Sequence, residues 1–268
     1  MYEASHEVIL SLQAGRSEAS FKFYNWVSGI TDEGIYTISL LLMLPFLSRE
    51  RFWYLFIAFH VAEFVKCILK LTYHEPRPTW IWTDILPVGC SASFGLPSGH
   101  STESANFVLV LLLDQFRASK WSRLTYPDLN TKTISNAPLA FAAMLLLFFT
   151  YWPLVVYDRI LLGKHTLNQV FLGSQIGFWC ACFSHFCLRD SIFRHITTIS
   201  NGKMRITSDE AYKYARTAAL IIITLFTTAV AVSYLSALPA TIKQTWMINL
   251  SNTCGTKFET DSDGNFVV

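Results

Sequence analysis

The sequence predicts an all-α membrane protein: a polytopic bundle of six transmembrane helices preceded by an amphipathic helical segment. Two observations carry this reading. Of the 268 residues, 52% are hydrophobic and only 15% charged, with a mean hydropathy of +0.35, which is more apolar than an ordinary soluble domain. The apolar residues also gather into runs of bilayer length, separated by polar or basic stretches. The net charge of +2 and the lack of a basic tract give no sign of a nucleic-acid surface.

The elements follow in order. Residues 1–30 mix Val8, Ile9, Leu12, Phe21, Phe23 and Trp26 with charges, as in helices that lie on a membrane surface. Thr31-Asp32-Glu33 is a helix start, and the first span runs over 34–47. The second covers 51–70. Its His60, Glu63, Lys66 and Lys70 recur at three- and four-residue steps, which predicts one interior helix face. Residues 71–97 form a Pro- and Trp-rich loop whose Trp80, Trp82 and Phe94 suit a membrane interface. The remaining spans are 98–116, 137–157, 166–188 and 215–238. Gly173, Gly177 and Ala181 make a small-residue stripe for close packing of the fifth. The chain thus divides into a surface segment (1–30), one membrane domain (31–240) and a polar tail (241–268).

Three stretches carry chemistry. Gly95-Leu-Pro-Ser-Gly-His-Ser-Thr-Glu-Ser104 leads into the third span. Pro97 suits the first position of a helix, so Ser98 and Gly99 would present free amides at a helix N-terminus, an anion site. His100 adds a titratable proton donor. Upstream, Lys70 and Arg77-Pro78 stand seven residues apart; downstream, Arg159 precedes His165 by six. The plainer reading of either histidine alone is polar glue between helices. Their company of three cations argues for a phosphate site.

In this order, Lys-x6-Arg-Pro, Pro-Ser-Gly-His and Arg-x5-His resemble the three signature motifs of the type-2 phosphatidic-acid phosphatase superfamily, which includes lipid phosphate phosphatases and glucose-6-phosphatase. The resemblance spans roughly residues 51–178. It implies that Lys70, Arg77, Ser98 and Gly99 bind the phosphate and Arg159 stabilises the transferred group. His165 becomes the nucleophile that forms a phosphohistidine, and His100 protonates the leaving alcohol. No cofactor or metal is implied, because the cations neutralise the phosphate charge. Two positions depart from the pattern: Asp158 replaces the usual Ser before Arg159, and Gln169 replaces the usual Asp four residues after the nucleophile. Gln169 shares a helix face with His165 and is able to accept its Nδ1–H, so it is counted with the catalytic residues. Asp158 opposes phosphate if it faces the site and is harmless if it turns toward Arg159.

Six spans bring all three motifs to one membrane face. Most loop Lys and Arg, including Arg117, Lys120, Arg123, Lys132, Arg189 and Arg205, fall on the other face. The positive-inside rule therefore turns the motifs to the lumen or the exterior, in an endoplasmic-reticulum-like or plasma membrane. An Asn249-Leu-Ser251 sequon lies on the motif side. So do Cys90 and Cys254, where an oxidising compartment lets a bridge persist. The leading expectation is a phosphatase of a lipid phosphate monoester, with membrane lipids as its surroundings. A sugar-phosphate or polyprenyl-diphosphate phosphatase is the alternative on the same fold, and a catalytically weakened scaffold or lipid-binding subunit the alternative outside catalysis. A homo-oligomer or membrane complex is compatible with all three.

Overall fold

The computed structural model describes residues 2–86, 88–89, 91, 93–118, 137–200, 208–235 and 240–255. The basic residues Lys120, Arg123, Lys132, Lys203 and Arg205 and the tail beyond 255 lie outside them, as does Cys90. The described residues contain helices and no strand. In order these are α1 (Tyr2–Gly15), α2 (Glu18–Ile30), α3 (Glu33–Met43), α4 (Arg49–Tyr73), α5 (Pro78–Ile81), α6 (Gly99–Ala118), α7 (Ala137–Leu161), α8 (Leu167–Phe183), α9 (Arg189–Ser200), α10 (Ser208–Leu235) and α11 (Ala240–Cys254).

Among the described residues, three helical stretches are long and apolar enough to cross a membrane: Arg49–Ile81, Leu139–Leu161 and Leu167–Thr198. A fourth is formed if α2 and α3, which meet at a 60° bend, make one broken span. The central helix α6 is not among them, although the sequence marks it as a span. The reason is where its polar side chains go. Ser101, Thr102, Glu103, Ser104, Asn106 and Asp114 are all buried. A helix surrounded by other helices needs little apolar surface toward lipid.

The small-residue stripe acts where the sequence puts it. A Cβ on Gly173 would stand 2.7 Å from Ser98 O, and one on Gly177 2.3 Å from Thr102 O. Glycine at both positions lets α8 press its backbone against the first turns of α6. This contact carries the start of one motif onto the helix of another.

Several expectations change. The helix of the fifth span does not stop at 188; a π turn at Ser184–Leu188 passes it into α9, so the second basic loop begins as helix. Much of the polar tail is helix α11, because Trp246 and Leu250 pack inward, with Trp246 against the ring of Trp80 at 6.1 Å. Trp80 is buried between Phe94 and Trp246 and Trp82 stacks on His6, so neither serves as a free interface anchor. His60 leaves the interior face of α4: it is exposed and bonds Phe56 O of its own helix. The sequon asparagine, Asn249, sits inside α11 and donates its amide to Trp80 O at 2.8 Å, which engages the nitrogen a glycan would need. Cys254 is in a disulfide.

The N-terminal segment packs against the helices that follow it. Ile9 of α1 is wholly buried against Ile85, Ile160 and Val170, and Ser5 Oγ accepts the N–H of Leu167. These contacts hold α1 over the turn between α7 and α8, where Gly163 adopts φ +65.

Candidate active site

The end of α4, the start of α6, the end of α7 and the turn between α7 and α8 surround a cavity of about 190 Å³. Lys70, Arg77, Gly99, His100, Arg159 and His165 all line it. Six of the eight residues expected from the sequence therefore share one wall. Each cation has a local reason for its position. His74, at φ 47, closes α4 in the left-handed conformation and reverses the chain. Lys70 in the last turn of α4 and Arg77 beyond that reversal then meet the same loop. Lys70 Nζ donates to Phe94 O at 3.1 Å; Arg77 Nε donates to Ser93 O at 2.7 Å and its Nη2 to Ser93 Oγ at 2.8 Å.

His165 is held by a chain of bonds that also fixes its tautomer. Gln169 Nε2 donates to Pro76 O at 2.8 Å, which orients the amide. Its Oε1 then faces the Thr166 N–H at 3.2 Å and His165 Nδ1 at 3.1 Å. An amide oxygen only accepts, so Nδ1 carries the proton. On the other side, Arg77 Nη1 lies 3.2 Å from His165 Nε2. Guanidinium only donates, so Nε2 presents its lone pair. Both bonds give the same tautomer, with the lone pair on Nε2. Burial, then the charges of Arg77 and Lys70, hold the His165 imidazole well below its ordinary pKa and keep it neutral.

Asp158 turns away from the cavity. Its Oδ2 pairs with Arg159 through both Nε and Nη2, and both residues are buried. Placed behind Arg159, the carboxylate aims the guanidinium without facing the cavity, and Asp158 is not on its wall.

Ser98 differs from expectation. It is fully buried, is not on the cavity wall, and its N–H donates to Gln169 O at 3.1 Å. Its carbonyl accepts from Thr102 N–H and Oγ1, and its Oγ from Ser101. Ser98 is thus the N-cap and buttress of α6, and Pro97 lies before the helix rather than in its first turn. Gly99 and His100 become the first helical residues, whose N–H groups have no carbonyl a turn behind them. The resemblance to known motifs pointed to Ser98 as a ligand; a contact with α8, 71 residues away in sequence, had already taken its amide.

Sequence reasoning missed Lys66, Glu103, Ser91, Ser93, Lys164 and Asp32, all on the same wall. Lys66, which its spacing places on the interior face of its helix, bridges Glu63 at 2.8 Å and Glu103 at 2.7 Å. The adjacency of Lys164 to His165 was the one available signal for that residue. Nothing local marked Asp32, because α2 and α3 reach the site only in the folded chain. Among the described residues, no three His, Cys, Asp or Glu side chains group as metal ligands.

The sequence pattern of the PAP2 superfamily matches residues 51–193, more than half of the chain, and the protein belongs to that superfamily. One curated relative, dolichyldiphosphatase 1 of Dictyostelium discoideum, is 29% identical over 157 residues, 59% of this chain. The match spans 60% of that relative's length. Among solved structures, a PAP2-type phosphatidylglycerolphosphate phosphatase from Bacillus subtilis aligns with a TM-score of 0.48 and 15% identity, over 77% of this chain and 89% of its own.

Proposed function

We propose that the chain is a membrane-embedded phosphatase that cleaves the phosphate end of a lipid through a phosphohistidine on His165, without a metal. The observation that carries this reading is the cavity in which Lys70, Arg77 and Arg159 meet His100 and a His165 whose Nε2 is the unprotonated nitrogen. In the reaction, Nε2 attacks phosphorus in line with the departing oxygen. Arg77, Lys70, Arg159 and the Gly99 amide take the charge of the equatorial oxygens. His100 delivers a proton to an alcohol leaving group, and water then hydrolyses the phosphohistidine. Gln169 keeps Nδ1 protonated throughout. Asp158 acts only by positioning Arg159.

A lipid substrate is supported by an apolar groove of about 730 Å³ walled by Leu96, Trp152, Val156, Phe171 and Leu172. Its remaining wall includes Ile160, next to Arg159, and Leu167, two residues from His165. A chain in that groove stays in the bilayer while its polar end enters the cavity. The name of the dolichyldiphosphatase relative favours a polyprenyl diphosphate over a phosphatidate-type monoester. We place the cavity on the lumenal or exterior side of a six-span bundle in an endomembrane or the plasma membrane.

The test is phosphate release by the purified protein in micelles. A polyprenyl diphosphate, phosphatidate and glucose 6-phosphate are compared for wild type and His165→Ala, with and without chelator. We expect lipid substrates to be hydrolysed, chelator to have no effect and His165→Ala to be silent. Release by His165→Ala, or chelator loss restored by a divalent ion, contradicts the mechanism.

A further inference from the structure

Lys164 is a cavity cation that the three motifs do not account for. Its Nζ donates to Ser28 Oγ at 2.7 Å. Ser28 is buried near the end of α2, outside the region that matches the superfamily. A hydroxyl fixes the ammonium without neutralising it. Lys66 is the opposite case, since two carboxylates hold it. The charged groups that act on Lys164 are Arg159 and Arg77, with Asp158 behind Arg159 and Asp32 on the same wall.

Lys164 shares the cavity wall with both His100 and His165. Lys70, Arg77 and Arg159 are the three cations that meet the transferred phosphate, and Lys164, held by Ser28, is a further one on the same wall. A diphosphate brings a second charged phosphate into this cavity, on the leaving side of the bond that breaks. An alcohol leaving group needs a proton there. A lipid phosphate leaving group instead departs with added negative charge, which a fixed cation stabilises.

We infer that Lys164, tethered by Ser28, is a specificity-determining residue that selects diphosphate over monophosphate lipids by holding the leaving phosphate. This rests on the phosphatase reading above. In the step, the His165 Nε2–P bond forms to the terminal phosphorus, and the bond from that phosphorus to the bridging oxygen breaks. The electron pair leaves on the bridging oxygen of the lipid monophosphate, opposite Lys164. Water then attacks the phosphohistidine, which releases inorganic phosphate and restores Nε2. Ser28 is a positioning residue: it touches Lys164 and not the substrate.

The experiment measures kcat/KM for geranylgeranyl diphosphate and geranylgeranyl monophosphate with the full chain in mixed micelles. Wild type is compared with Lys164→Gln, Lys164→Arg and Ser28→Ala. Lys164→Gln lowers the diphosphate-to-monophosphate ratio by about 10- to 100-fold, the range of one charge-assisted hydrogen bond. Lys164→Arg retains most of the ratio, and Ser28→Ala lowers it less than Lys164→Gln does. Lys164→Arg and Ser28→Ala keep the charge and serve where the Gln variant does not accumulate; an Arg or Ala variant that departs from these ratios overturns the inference. If wild type cleaves both lipids and the ratio is unchanged in Lys164→Gln, this inference falls while the phosphatase reading stands. If wild type releases phosphate from neither, both fall.

Discussion

The two ends of α4 and α6 use the same kinds of residue to opposite effect. At one end Asp114 of α6 accepts Arg51 of α4 at 2.7 Å and Arg189 at 3.0 Å. Arg189 also lies 3.9 Å over the Phe193 ring. That end is closed by charge pairing. At the other end Lys70 and Arg77 lean on neutral carbonyls and hydroxyls of residues 93 and 94, and Lys164 on Ser28. A carboxylate partner offsets a cation's charge, as Asp158 does behind Arg159 and Glu63 and Glu103 do at Lys66; a carbonyl or hydroxyl partner, as at Lys70, Arg77 and Lys164, aims the charge without offsetting it. The first arrangement joins helices. The second keeps positive charge available to an anion, at a cost in stability that a purely structural network would avoid.

Substitutions at each end test this contrast. The largest effect on stability is expected for Asp114→Ala, which leaves Arg189 buried without its carboxylate. We expect a loss of about 3–5 kcal/mol, read as thermal unfolding in detergent. At the cavity end the effects reverse. Arg77→Met should leave unfolding unchanged or raised, while kcat/KM falls by about 10²–10³-fold, as for loss of one preorganised donor to the transition state. A large fall in stability for Arg77→Met would mean that the cavity cations are structural after all.

Next comes the tautomer. Gln169→Leu removes the acceptor for Nδ1–H and should lower kcat by about 10²-fold. Gln169→Glu keeps an acceptor but loses the donor to Pro76 O, so we expect a smaller loss. Equal losses would mean that the Pro76 bond, not the His165 bond, is what matters.

The pH dependence is the smallest effect. Burial and the neighbouring Arg77 and Lys70 hold His165 well below its ordinary range. Protonation of Nε2 is thereby delayed, so the acid limb of kcat/KM should fall well below pH 6.5. Burial and then Arg159 bring Lys164 down to about 8; Arg77 also opposes its charge, while Asp158 and Asp32 favour it. Lys164 is therefore charged below about pH 8 and neutral above it. KM for a diphosphate lipid should rise several-fold as pH passes through 8, and Lys164→Arg, which stays charged, should abolish that limb.

What was legible in the sequence was whatever depends on spacing along one helix. Lys70 and Arg77 bracket one helix end. His165 and Gln169 lie four apart at a helix start, and Gly173 and Gly177 share a stripe. Each gives a contact that the structure contains. What was hidden depends on contacts between distant segments. The Ser98 N–H was free as a local motif and is bonded in the fold. Lys164 has no spacing signal of its own, because Ser28, which holds it, lies 136 residues earlier. Residues 241–254 looked polar because their apolar side chains are few, yet Trp246 finds Trp80. Asp158 had two readings in the sequence, and its pairing with Arg159 selects the harmless one.

The central claim is that His165 Nε2 takes the phosphoryl group. Radiolabelled lipid substrate, quenched in denaturant during turnover, should leave the label on the wild-type protein in an acid-labile, base-stable form. His165→Ala should carry none, while Asp114→Ala, at the charge-paired end, should still be labelled to the extent that it folds. Label or turnover that survives His165→Ala would contradict the account.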